Sequence, residues 1–201
     1  MFQRKLLLPG EVEFKAGDIL GFSGYTWISA AINIATYGIP FWDISHVGIL
    51  GNCPDGQLRL FESTTLDGNI PCEITGKAIS GTQAHDIHEQ IKRYRGKVYH
   101  YPLYRELYPQ EDERLTEFLM ETIGVPYDEM GAFRSAGVGL SWIESLFRPQ
   151  NLHTIFCSEW CAAAYAVLGI HPTDHVSRWN PNRLCRHLRL HGILCKPRRL
   201  K

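Results

Sequence analysis

Ser45-His46-Val47-Gly48-Ile49-Leu50, the turn Asn52-Cys53-Pro54-Asp55-Gly56 and Gln57-Leu58-Arg59-Leu60-Phe61-Glu62-Ser63 decide the fold class. The first run is apolar after its histidine. The second alternates, with Leu58, Leu60 and Glu62 on one side and Arg59, Phe61 and Ser63 on the other, the period-2 signature of a strand. Asp55-Gly56 between two such runs signals a hairpin. A preceding strand entry is expected over residues 11–22, broken by a Gly17-Asp18 turn. A further strand is expected over Lys97–Tyr101, ahead of the extended Tyr101-Pro102 step.

Helical spacing appears elsewhere. Residues 26–37 carry Trp27, Ile28, Ala31, Ile32 and Ala35 at helical intervals. Glu111–Gly124 places Leu115, Phe118, Leu119, Thr122 and Ile123 on one face, with acids early and a terminating glycine. A helix is expected from about Cys157 to Leu168, and a last one over Asn182–Leu190, entered through Asn180-Pro181. Residues 129–150, rich in Gly, Ala and aromatics without a clean period, read as an insertion or lid. The polar stretch around His85 and His88 reads as loop. These elements together predict an α+β single domain over residues 1–201.

Composition sets limits. The 201 residues, 44% hydrophobic and 11% aromatic, suffice for a real core and exclude a disordered or collagen-like chain. No apolar run reaches the roughly 18 residues needed to cross a bilayer. The start, with only three leucines between a basic pair and Pro9, does not read as a signal peptide, so a cytoplasmic setting is expected. The six cysteines are accordingly expected as free thiols. The net charge of zero hides an asymmetry: residues 1–174 hold all 21 acids against 13 Lys/Arg, and residues 175–201 hold eight Lys/Arg and no acid. Such a basic segment either docks on the acidic body or meets an anionic partner, a membrane surface or nucleic acid.

Phe156-Cys157-Ser158-Glu159-Trp160-Cys161 carries the candidate chemistry. A cysteine in the first helical turn faces free N–H groups and the positive end of the helix dipole, which favour thiolate. The same N–H groups could hold an oxyanion. The plainer alternative is a small buried hydrophobe. A thiolate nucleophile needs a base, and the base needs an orienting group. Of nine histidines, His46 begins a strand and is positioned by it. Glu62, near the end of the neighbouring strand, could accept from its ring. Cys185, His187, His191 and Cys195 offer four zinc-ligand types in eleven residues, but Cys185 lies about 200° around the helix from His187, and an amphipathic basic helix is the preferred reading. Without a Walker loop, dinucleotide fingerprint or His-Glu-x-x-His helix, no cofactor is expected.

His-Val-Gly-Ile on a strand, a Phe-Glu-Ser strand end, a Gly-x-Pro-Tyr-Asp loop, Phe-Cys-Ser-Glu opening a helix and a later Asn-Pro-x-x-Leu occur in this order. In this the chain resembles the circularly permuted branch of the NlpC-type papain-like superfamily, the YiiX-like and lecithin:retinol acyltransferase-like proteins. The resemblance runs from Gly17 to Leu184, outside 66–96 and 129–150, with Trp160 and Cys161 where small aliphatic residues are more usual. It implies a papain-like α+β fold, with Cys157 as nucleophile, His46 as general base and then acid, and Glu62 as third polar residue. Tyr127 is expected to line the pocket, and Ser158 to join it in substrate contact. The implied activity is thiol hydrolysis of an amide in a peptide or amino-acid conjugate. Acyl transfer from a lipid ester is the alternative, and a non-catalytic protein that binds through its basic C-terminus is the second.

Overall fold

A computed structural model describes residues 12–24, 44–64, 70–125, 156–170 and 179–201. It is an α+β structure, a six-stranded antiparallel sheet with four helices among these residues. The strands are β1 (Ile19–Gly24), β2 (His46–Asn52), β3 (Leu58–Thr64), β4 (Gly81–His85), β5 (Gly96–Tyr101) and β6 (Arg198–Arg199). The helices are α1 (Ile87–Arg93), α2 (Pro109–Glu121), α3 (Phe156–Val167) and α4 (Pro181–Leu190). Strand order is β4-β3-β2-β1-β5-β6.

The alternation expected for the hairpin sorts its side chains onto two faces. Ile19, Val47, Ile49, Phe61, Ala84 and Tyr101 point to one, where they pack with Leu115, Phe118 and Leu119 of α2, most of α3, and Leu184 and Leu188 of α4. Leu20, Phe22, Leu50, Leu60 and Val98 point to the other, packing with Ile87 and Ile91 of α1. The hairpin closes as its Asp55-Gly56 pair predicts: Cys53 N–H donates to the Gln57 carbonyl at 2.9 Å and Gly56 takes a positive φ of 79°.

Three regions differ from expectation. Residues 12–14 are not strand, although Val12 and half-buried Phe14 pack beneath the second face. His85 and His88 lie in β4 and α1 rather than in a loop. β4, Gly81-Thr82-Gln83-Ala84-His85, shows no apolar alternation, yet all five residues are buried. α1 is short and is pinned at its ends: the Asp86 carboxylate accepts from Glu89 N–H at 2.8 Å, and Lys201 Nζ donates to the carbonyls of Lys92 (2.7 Å) and Tyr94 (2.8 Å). The helix expected at 26–37 and the insertion at 129–150 lie outside the described residues. Among those described, no helix is long and apolar enough to cross a membrane.

Asp18 does more than make a turn. It is buried; its Oδ1 accepts from Leu103 N–H at 2.7 Å, and its Oδ2 lies 2.7 Å from His100 Nε2. The carboxylate thereby joins the entry of β1 to β5 and the loop beyond it. The Tyr165 hydroxyl donates to the carbonyl of the preceding Gly17 at 2.5 Å and fastens α3 to the same point.

Gly48 of β2 stands in register opposite Glu62 of β3. A methyl group at Gly48 would come within 2.8 Å of the Phe61 carbonyl oxygen and 2.7 Å of a Leu60 methyl. The carbonyl belongs to the sheet ladder and cannot step aside. Gly48→Ala is therefore expected to destabilise the fold by about 1–3 kcal/mol, read as a lower urea midpoint. An unchanged midpoint would refute this packing.

Candidate active site

His46 is the first residue of β2, on the face that carries α1, with its ring 5.6 Å from that of Phe22 on β1. Glu62 lies on the same face of β3. The hairpin register, Gly48 opposite Glu62, leaves no side chain between them, and His46 Nε2 meets Glu62 Oε2 at 2.6 Å. Glu62 is 1% exposed. Its second oxygen accepts from Gln90 Nε2 of α1 at 2.9 Å, so both carboxylate oxygens are engaged. His85 Nε2 stands 3.8 Å from that same Oε1, buried and without a hydrogen-bond partner among the described residues.

Cys157 is the second residue of α3, buried where the helix begins on the opposite face. It is close enough to His46 to be electrostatically coupled to it. Burial disfavours the charged ring, but Cys157 and then Glu62 outweigh burial and push the His46 pKa up to about 10. Two other buried thiols lie nearby. Cys161, one helical turn on, is held well above its ordinary value by burial, and Cys185 of α4 is pushed up to about 12 by the same cause. Burial alone also raises Glu159, in the first turn of α3, to about 7.

The structure thus brings Cys157, His46 and Glu62 together. Ser158 is fully buried, and its hydroxyl donates to the Trp179 carbonyl at 2.5 Å, a tie between α3 and the entry of α4. Adjacent helical positions differ by about 100°, so the Ser158 side chain leaves the helix in a different direction from Cys157. Tyr127 lies outside the described residues. Sequence reading missed Gln90, His85 and the role of the Asn180-Pro181-Asn182 step. Asn180 caps α4 by accepting from Arg183 N–H at 2.8 Å, and Asn182 Oδ1 accepts from Ile44 N–H at 3.0 Å, two residues before His46. The entry of α4 therefore holds the starts of both elements that carry the Cys–His pair. α4 also directs Cys185 into the core and keeps the rings of His187 and His191 together, 4.0 Å apart. Among the described residues no group of three or more His, Cys, Asp or Glu side chains is placed to hold a metal ion.

No family model matches the sequence, and no curated protein matches it. Among solved structures the chain is similar to the crystal structure of the metalloprotein YiiX from Escherichia coli O157:H7, DUF1105. The identity is 19% and the TM-score 0.48, over 77% of this chain and 67% of that one.

His46 is expected to stay protonated through neutrality. Its pKa rises from 6.5 to about 10 on folding, so the stability it contributes is complete below pH 6.5 and is lost as pH climbs toward 10. Nitrogen chemical shifts of the labelled ring should show imidazolium at pH 8 and neutral imidazole only near pH 10. A midpoint near 6.5 would contradict the coupling.

Proposed function

We propose that the chain is a thiol hydrolase of the permuted papain-like type that cleaves an amide bond in a peptide or amino-acid conjugate. The observation that carries this reading is one imidazole coupled to a first-turn cysteine and bonded to a fully buried carboxylate. With Nε2 committed to Glu62, Nδ1 is the nitrogen left for the thiol. Glu62 fixes the ring's orientation and favours its cationic form, and the cation favours the Cys157 thiolate.

The Cys157 sulfur attacks the amide carbonyl carbon, and the carbonyl π pair moves onto oxygen, where N–H groups at the start of α3 receive it. The tetrahedral intermediate collapses as the C–N bond breaks and His46 gives its proton to the departing nitrogen, releasing an amine. The neutral imidazole then takes a proton from water, and the hydroxide attacks the thioester carbonyl. C–S cleavage releases the carboxylic acid and restores the thiolate–imidazolium pair. An amine leaving group needs that proton more than an alkoxide does, and a ring held cationic to about pH 10 is suited to give it.

Alkylation by iodoacetamide, followed cysteine by cysteine with peptide mass spectrometry, tests the reading. Cys157 is expected to react fastest near pH 6, ahead of exposed Cys195 and of Cys161 and Cys185, which burial holds in the neutral thiol form. His46→Ala should slow Cys157 by about 10²-fold or more, the range of an activating base. A Cys157 that reacts no faster than Cys195, or that ignores His46→Ala, would sink the catalytic reading and leave a binding protein on this fold.

Gln90 acts through Glu62 as a positioning residue. Gln90→Leu leaves one buried carboxylate oxygen without its donor, at about 1–3 kcal/mol, and should slow Cys157 alkylation near pH 6 by about tenfold while the His46 midpoint moves. Loss of stability without change in either readout would reduce Gln90 to packing.

A further inference from the structure

Among the described residues three large hydrophobic side chains are exposed: Leu190 at 74%, Tyr104 at 64% and Tyr108 at 61%. Two of them share one corner. Leu190 ends α4, and Tyr104 N–H donates to the carbonyl of Ile193, three residues past Leu190, at 2.9 Å. The bridge between Leu103 and Leu194 locks that pairing, and Cys195 N–H donates to Pro102 at 2.8 Å. Lys196 is thereby set beside the same loop. Arg186 lies one turn before Leu190 and so on its face of the helix.

The C-terminal segment brings charge of one sign to this corner. Residues 179–201 contain seven Lys/Arg and no acid. Arg199 and Lys201 are used within the fold, on the Lys201 carbonyl and on the end of α1. Arg186, Lys196 and Arg198 are exposed and make no ion pair among the described residues. On the tyrosine loop Glu106 is paired with Lys15 Nζ at 2.6 Å, a cation that also faces Glu13 at 3.4 Å. Among the described residues these three cations meet no acid of the body.

We propose that the corner formed by Leu190 and Tyr104, rimmed by Arg186 and Lys196, is a docking surface for an anionic lipid bilayer. An apolar side chain and an amphipathic aromatic ring at one point match the interfacial depth of a bilayer, where long cationic side chains reach up to the headgroups. A phosphodiester backbone would use the cations and the tyrosine ring but offers nothing for an exposed leucine at the centre. The surface is independent of the Cys157 site, so it holds or falls without the hydrolase reading.

Sedimentation of the full chain with phosphatidylcholine vesicles, with and without about one-third phosphatidylserine, tests it. Binding is expected to the mixed vesicles and to be weak on phosphatidylcholine alone, with loss at high salt. Arg186→Ala combined with Lys196→Ala should weaken it about 25-fold, at roughly five-fold per cation. Leu190→Ser should weaken it at unchanged charge. Unaltered thermal midpoints and Cys157 alkylation rates separate these effects from misfolding. Failure to bind the mixed vesicles overturns the proposal, as does binding that ignores Leu190→Ser. Tight binding of a single-stranded oligonucleotide, sensitive to the two cations and indifferent to Leu190, assigns the corner to nucleic acid instead.

Discussion

A carboxylate buried as deeply as that of Glu62 must be paid for by partners, since an uncompensated charge in a protein interior costs several kcal/mol. Much of the second face of the sheet follows from this requirement. The β2–β3 register must place a residue without a side chain beside Glu62, and Gly48 fills that position. A slip of one residue would turn Glu62 toward the packed core of α2 and α3 and strand it there. A donor must approach from above the sheet, and α1 supplies Gln90. A seven-residue helix does not stand alone in water. This one persists because Ile87 and Ile91 are buried and its ends are bonded by Asp86 and Lys201. The cation that completes the compensation is His46, whose ring is kept charged by the arrangement it stabilises.

The cysteine side obeys a different constraint. α3 is buried almost all round, and Ala162, Ala163 and Ala164 let its axis approach the sheet closely. Its larger residues fix its rotation: Trp160 stacks on Phe118 with ring centroids 5.9 Å apart and donates to the Thr122 hydroxyl at 3.3 Å, while Tyr165 reaches the Gly17 carbonyl. Trp160 and Cys161, the residues that depart from the resembled pattern, are thus core residues. α4 joins the two halves, holding Ser158 through the Trp179 carbonyl and Ile44 through Asn182. Cys157 and His46 approach from opposite faces and meet at one end of the sheet because the same helix entry restrains both.

What could be read from the residues divides along this line. The hairpin, β5 and helices α2 to α4 were legible because their burial is apolar and periodic. Glu62 was legible as a charge out of place in an apolar alternation, which is what pairs it with His46. β4 and α1 were not, because the buried side chains of Thr82, Gln83, His85 and Gln90 are polar, and the bond that fixes Gln90 runs to Glu62, 28 residues away. Asp18 shows the same limit: its glycine announces the turn, and nothing local announces His100 or Leu103, more than 80 residues away.

Six cysteines differ little by count or by neighbours, and the folded chain separates them by charge. Cys157, Cys161 and Cys185 are coupled to one another in one buried region. Three anions could not coexist there, since each would raise the cost of the next. Burial pushes Cys161 and Cys185 far above neutrality, and the coupling adds to it in the same direction. Cys157 is the thiol coupled to the His46 ring, whereas the cation near Cys185 is Arg189, which does not offset the burial of that thiol. The apolar surroundings that keep two thiols neutral also strengthen the coupling between His46 and Cys157, because the low dielectric acts on both. Selectivity among chemically identical groups then needs no special residue beside Cys157, the proposed nucleophile. It needs one charged ring, and a carboxylate buried well enough that the ring is its principal counter-charge.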